Sequence, residues 1–144
     1  MCGKGRTDEG VANFQEAAKN PLYGTPWAAD TNAGVCLRGA KREAEAASLF
    51  KHALERRPDY AEAIAQLADL EISQGQPEDA YKRVEAFLAA NPASAELLYL
   101  GWRAASALQN KTTTAQMAWR LQTEFPDSAQ ARSIAALRRD PAKP

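Results

Sequence analysis

The sequence predicts an all-α protein, a right-handed superhelix built from antiparallel helix pairs. Two observations support this class. Residues 61–92 hold two segments with apolar residues at helical spacing, separated by the turn Gln74-Gly75-Gln76-Pro77. Pro58, Pro92 and Pro126 are evenly spaced, so the same helix–turn–helix unit recurs along the chain.

Apolar residues in both segments of this unit fall on one helical face. They are Ile64, Leu67, Ala68 and Ile72 in the first segment, and Ala80, Val84, Phe87 and Leu88 in the second. The interval between the prolines, about 34 residues, is the period of tetratricopeptide repeats (TPRs), which have two helices per unit.

The period divides the chain into the parts of a single TPR domain, 1–144. These parts are the second half of a truncated repeat (1–20), three repeats of one full period each (27–60, 61–94 and 95–128), a C-terminal capping helix (129–138) and a disordered tail (139–144).

Helix starts carry recognisable capping signals. Thr25-Pro26 combines a capping side chain with a proline that suits the first helical turn. Asp59 and Asp127 each stand three residues before a Glu or a Gln, which is the spacing of a capping box.

The eighth position of a repeat is normally a small residue, because the two helices of the pair approach closely there. Gly34 fits this position in the first full repeat. Trp102 occupies it in the last repeat, directly after Gly101, and this predicts a shifted helix pair.

Residues 7–19 read as the second helix of a repeat whose first helix is missing. Val11, Phe14 and Ala18 recur there at helical spacing and lack the neighbour that normally covers them. Exposed apolar area is unfavourable, so we expect either a weak homodimer through residues 7–19 or a disordered first helix.

Composition excludes several classes of partner. Eighteen basic residues balance eighteen acidic ones, so the basic footprint of a protein that binds nucleic acid or an anionic membrane is missing. The longest apolar runs are far below the roughly 20 residues that span a bilayer. Residues 1–4 lead straight into polar sequence, without the apolar segment of a signal peptide.

No residues are spaced for catalysis, for a metal or for a cofactor, so we expect a non-enzymatic protein without a cofactor. His52, the one histidine, is interpreted as a solvated surface residue because no convergent groups accompany it. Asp69 and Glu71 are two apart on a helix and therefore point to different faces.

Two cysteines are too few for a disulfide scaffold. Cys36 is interpreted as a small buried thiol. A bridge between Cys36 and Cys2 stays open as an alternative, and so does the redox compartment.

Aromatic residues could fill the core between helices or form a peptide-binding stripe, and the core is the preferred interpretation. These residues are Trp27, Trp102, Trp119, Tyr60, Tyr81 and Tyr99.

First helices line the concave surface of a TPR array, so the candidate protein-binding residues come from their inward positions. They are Thr31, Val35, Arg38, Glu62, Ala65, Asp69, Ile72, Tyr99, Arg103 and Ser106. This lining is mixed in charge. It lacks the Lys and Asn constellation with which chaperone-binding TPR domains clamp a C-terminal carboxylate, which disfavours an Hsp90-type cochaperone.

Three segments, 13–23, 32–70 and 94–128, resemble the type IV pilus biogenesis/stability protein family (PilF/PilW). The most specific parts are Leu22-Tyr23, Asn32-Ala33-Gly34 and the closing Phe125-Pro126-Asp127-Ser128. The similarity covers about residues 7–128.

This resemblance implies a non-enzymatic lipoprotein at the periplasmic face of the outer membrane. It would help the pilus secretin reach that membrane and assemble, and so support twitching motility. The chain departs from the family because a signal peptide, a lipidated cysteine and the first repeats are missing. A generic cytoplasmic TPR adaptor or co-chaperone is the alternative.

Overall fold

The computed structural model describes residues 6–20 and 24–139, and these residues form eight α-helices and no strand. The helices are α1 (Thr7–Lys19), α2 (Pro26–Gly39), α3 (Glu43–Arg56), α4 (Ala61–Ser73), α5 (Pro77–Ala90), α6 (Ala95–Ala107), α7 (Lys111–Glu124) and α8 (Ala129–Arg139). The all-α prediction is confirmed.

The helices keep the period that the prolines indicated. α3, α5 and α7 begin at residues 43, 77 and 111, and α4, α6 and α8 begin at residues 61, 95 and 129. Both series advance by the same interval as the prolines, so every repeat has a first helix and a second helix at fixed positions. The predicted tail at 139–144 and the Leu22-Tyr23 motif lie outside the described residues, apart from Arg139 at the end of α8.

The chain divides into two compact units at the boundary between Leu70 and Glu71, which lies inside α4. Unit one contains α1, α2, α3 and the part of α4 that ends at Leu70. Its buried core joins Leu37 of α2 to Ala46 and Phe50 of α3 and to Leu67 of α4. Leu67 is thus a core residue, as its place in the repeat predicted.

Unit two contains the last turn of α4 and helices α5 to α8. Its buried core consists of Leu98, Met117, Ala118, Leu121, Ala131 and Ile134. These residues come from α6, α7 and α8, so the last helix is held by its apolar face against the pair that precedes it.

In each unit, one helix pair has a glycine at the point where its two helices approach closely. A Cβ atom built on Gly34 would lie 2.5 Å from the Phe50 ring, closer than real contacts allow. In unit two a Cβ on Gly101 would lie 3.2 Å from the Met117 sulfur and 3.3 Å from Val84. Gly101 therefore takes the role of Gly34, one position early in the repeat, and Trp102 is half-buried.

The capping signals are only partly realised. Thr25 is the N-cap residue of α2, but its side chain makes no capping hydrogen bond. At α8 the predicted Asp127 cap is wrong, because the helix begins at Ala129 and Ser128 Oγ accepts from the Ala131 N–H at 3.0 Å. Asp59 Oδ1 instead accepts from Arg57 Nε at 3.1 Å.

Helix α1 is folded and packs along α2, so the structure differs from the disordered-helix expectation. Ala18 is buried, whereas Val11 and Phe14 are only half-buried. Arg42, next to α3, hydrogen-bonds Asp8 of α1 and Glu45, and the first of these contacts ties the start of α1 to the next helix pair. The Arg42 hydrogen bond also lowers the pKa of Glu45. Self-association through this helix stays a prediction.

Replacing Gly34 with Ala should destabilise the protein, because the Phe50 ring is fully buried and has no room to move away. We expect a loss of about 1–3 kcal/mol in the free energy of unfolding, as for other overpacked cores. Gly39→Ala is the matched control, since a Cβ there meets nothing within 4 Å. Thermal melting of both variants checks this, and an unchanged melting temperature for Gly34→Ala would contradict the close approach.

Candidate protein-binding surface

Two candidate residues of unit one are brought together by an ion pair. Arg38 of α2 donates to Asp69 Oδ2 at 3.0 Å and to Gln66 Oε1 at 2.9 Å, both on α4. The three side chains therefore tie two neighbouring first helices to each other. A partner would meet this part of the surface as a neutral polar cluster rather than as separate charges.

The other candidates of unit one differ in what they offer a partner. Val35 is exposed, and it is one of the few large apolar side chains that are. Glu62 is also exposed. Thr31 and Ala65 are buried, and Thr31 Oγ1 donates to the Trp27 carbonyl oxygen at 2.8 Å. Thr31 and Ala65 thus lie below the surface in this structure.

In unit two, α6 presents a short aromatic and basic patch. Tyr99, Arg103 and Ser106 follow one another at intervals of one helical turn, so they share a face. Tyr99 and Arg103 are half-buried, and Ser106 is exposed. The Tyr99 ring stacks on Trp102 with centroids 5.7 Å apart and planes inclined by 18°. The stack also packs against the core of unit two, which orients the Tyr99 ring. Ile72, the remaining candidate, is half-buried at the end of α4.

Trp119 on α7 is the largest departure from the prediction that the aromatic residues fill the core. Its side chain is 65% exposed, although single Trp residues are rarely left so open. It lies in a shallow surface depression with Ala115, Gln116, Arg120 and Gln122. Arg120 forms an ion pair with Glu124, with 2.8 Å between Nε and Oε2.

A buried carboxylate with two basic neighbours escaped the sequence analysis. Asp30 of α2 is only 3% exposed, and its Oδ2 lies 2.9 Å from His52 Nδ1 and 3.3 Å from Arg56 Nε on α3. His52 is exposed, as interpreted, but its contact with Asp30 was not predicted. Neither contact has good hydrogen-bond geometry, so the cluster is held mainly by charge. The available signal was an Asp at an apolar position of α2.

A second buried carboxylate lies at the start of unit two. Glu71 is buried, and Arg83 Nε of α5 lies 2.9 Å and 3.1 Å from its two carboxylate oxygens. Asp69 pairs with Arg38 and Glu71 pairs with Arg83, so the two carboxylates point to different faces of α4, as their spacing predicted. In both units the buried acid joins the two helices of one pair, which is a structural role.

Cys36 is buried as expected, but it is disulfide-bonded rather than a free thiol. The sequence contains one other cysteine, Cys2, which lies outside the described residues.

Within residues 6–20 and 24–139, no three His, Cys, Asp or Glu side chains are grouped to hold a metal ion. In the same ranges no helix has the length and apolar character needed to cross a membrane.

These features define an all-α TPR-type fold whose exposed polar and aromatic positions suit contacts with other proteins. The family model described as "Tetratricopeptide repeat" matches residues 37–101. No curated protein matches the chain.

Three solved structures resemble the chain. PilW, described as a widely conserved type IV pilus biogenesis factor, is 29% identical with a TM-score of 0.77 over 93% of this chain and 62% of PilW. PilF of Pseudomonas aeruginosa is 22% identical, with a TM-score of 0.72 over 92% of this chain and 60% of PilF. A TPR protein of Parabacteroides merdae is 24% identical, with a TM-score of 0.79 over 92% of this chain and 52% of that protein.

The chain therefore spans 52–62% of the length of these structures. The similarities to PilF and to the Parabacteroides protein establish the fold alone. The similarity to PilW is the strongest in sequence among the three.

The Asp30 cluster yields a stability prediction. Replacing Arg56 with Met removes one cation and keeps the apolar stem, so the buried carboxylate loses a charged partner. We expect the free energy of unfolding to fall by about 1–3 kcal/mol, measured by urea denaturation. Lys51→Met, an exposed cation on the same helix, is the control and should have little effect.

Adding Asp30→Leu to the Arg56→Met variant should recover much of the lost stability, because no charge is then left buried. A double variant as unstable as Arg56→Met, or an Arg56→Met variant as stable as the parent, would show that charge does not hold this cluster together.

Proposed function

We propose that the chain is a non-enzymatic protein-binding scaffold in type IV pilus biogenesis. The observation that carries this proposal is the likeness to PilW, which combines 29% identity with a TM-score of 0.77 over 93% of the chain. The TPR-type fold of the chain supports a role in binding, since TPR arrays bind other proteins through the surfaces that their helices present.

The proposed partner is a subunit of the pilus secretin, whose localisation to the outer membrane and assembly the scaffold would assist. The resemblance found in the sequence supports this partner. The α6 patch supplies a suitable contact, because Tyr and Arg are enriched among the residues that dominate binding energy. The packing of Tyr99 on Trp102 orients the ring before a partner arrives, which reduces the entropy lost on binding.

The periplasmic face of the outer membrane is the proposed location. The resemblance found in the sequence supports this location. A generic cytoplasmic adaptor is therefore the less favoured alternative.

Replacing Tyr99 and Arg103 with Ala should weaken binding to a purified periplasmic fragment of the cognate secretin at least tenfold, because the anchor and the charge of the patch are lost. The measurement is a binding isotherm, with helicity checked by circular dichroism. Trp119→Ala with Arg120→Ala is the matched control: it removes an aromatic and an arginine from the second helix of the same repeat. We expect its affinity to stay within about twofold of the parent.

If a folded Tyr99/Arg103 variant bound with the same affinity as the parent, the α6 patch would not be part of the interface. Absence of any binding to the secretin fragment, together with normal piliation and twitching after deletion of the gene, would contradict the pilus role itself.

A further inference from the structure

One exposed stripe of residues recurs on the second helices of the repeats. Its positions follow one another at intervals of four, three and four residues, so they share one face of each helix. On α7 the stripe consists of Thr112, Gln116, Trp119 and Thr123, and all of these residues are exposed. This set is the α7 stripe.

The stripe stays open even where another second helix follows in the array. On α5, one repeat period before α7, the same positions are also exposed. Yet α5 has α7 beside it, since Tyr81 packs against the core of unit two and hydrogen-bonds Thr113 of α7. The stripe residues of α5 are Glu78, Lys82, Glu85 and Ala89. A neighbouring second helix thus leaves these positions in water, and Trp119 lies at one of them.

The α7 stripe differs from its counterpart on α5 in charge. The α5 residues are all charged except Ala89, and Lys82 and Glu78 form an ion pair at 3.4 Å. The α7 stripe has no charged residue. In place of Glu85 it carries Trp119, the most exposed of the large apolar side chains that the structure describes. Loss of charge together with gain of an aromatic residue distinguishes the centre of a protein interface from the rest of a surface.

The α7 stripe is complementary to itself when two copies run antiparallel. Its intervals read the same from either end, so Thr112 of one copy lies opposite Thr123 of the other. Gln116 likewise lies opposite Trp119. In each copy these two residues border the same shallow depression, which can receive the Trp119 ring of the second copy.

Charge does not oppose this pairing. Arg120, the charged side chain that borders the depression, is already paired with Glu124 of its own helix. Two copies therefore bring no unpaired like charges together at the centre of the contact. The hydroxyl and amide groups of the stripe both donate and accept hydrogen bonds, so the same groups on a second copy can satisfy them.

We propose that two copies of the chain associate through the α7 stripe as an antiparallel, two-fold symmetric pair. Trp119 of each copy packs on Gln116 of the other, and Thr112 pairs with Thr123 at both ends. The same surface of each copy is used, so assembly closes at the dimer. A contact over a few turns of one helix is smaller than the roughly 1,200 Å² of a stable interface, so the dimer is weak and reversible.

Sedimentation velocity and light scattering over a concentration series test the association. The average mass of the parent chain should rise from one chain mass and level off at two. Trp119→Glu directs a carboxylate into the depression of the other copy and should keep the chain monomeric. Ala89→Glu, at the exposed stripe of α5, is the matched control and should associate like the parent. Circular dichroism of each variant checks that the helices are intact.

Two double variants test the antiparallel register. Thr112→Glu with Thr123→Glu brings like charges together at both ends and should weaken the dimer by about tenfold or more. Thr112→Glu with Thr123→Lys brings opposite charges together and should associate at least as well as the parent. In a parallel pairing each charge would meet its own copy, and both double variants would be weakened.

A parent chain that stays monomeric up to about 1 mM would overturn the proposal and assign the α7 stripe to a partner other than a second copy. Association that survives Trp119→Glu would overturn it as well, because the contact would then lie elsewhere. Equal weakening of the two double variants would exclude the antiparallel pairing.

Discussion

Close approach of the two helices within a pair is the constraint on which the rest of the structure depends. Gly34 lets the Phe50 ring lie directly on the α2 backbone, and Gly101 does the same for Met117. A pair that is brought together in this way presents one continuous apolar face. That face is stable only when the next helix covers it, because buried apolar area is the main favourable term in folding. The repeats therefore depend on their neighbours, and helices at the two ends keep faces that are partly open.

Buried ion pairs also join the two helices of a pair. Asp30 and Glu71 each stand on a first helix at a position where the repeat normally buries apolar side chains, and each meets an arginine from the second helix. A buried ion pair contributes little net stability, yet leaving one partner alone is costly. The pairing thus favours one register of the two helices over alternatives. Tyr99 is supported differently, because its ring stacks on Trp102 and packs against the apolar core of unit two.

Much of the fold could be predicted from the sequence because the period is carried by residues with strong local effects. Proline stops a helix, and small residues mark the close approaches, so the helices and the shifted pair at Gly101 follow from the sequence. The candidate surface could be predicted less well. Whether Thr31 is open or buried depends on helix rotation by tens of degrees, which a repeat pattern does not define. The contact of Asp30 with His52 and Arg56 joins two helices, and the exposure of Trp119 depends on what covers α7. The spacing of residues along one helix predicts neither the Asp30 contact nor the exposure of Trp119.

Each helix owes its stability to cover from its neighbours. Hydrogen exchange of the backbone amides, resolved by helix in dilute solution, tests it most directly. α3 and α6, which are covered within their pairs and by their neighbours, should exchange slowest, and α1 and α8 should exchange markedly faster because each leaves one face open. Equal protection of all eight helices would contradict the claim, since it would mean that cover from the neighbouring helix does not determine local stability.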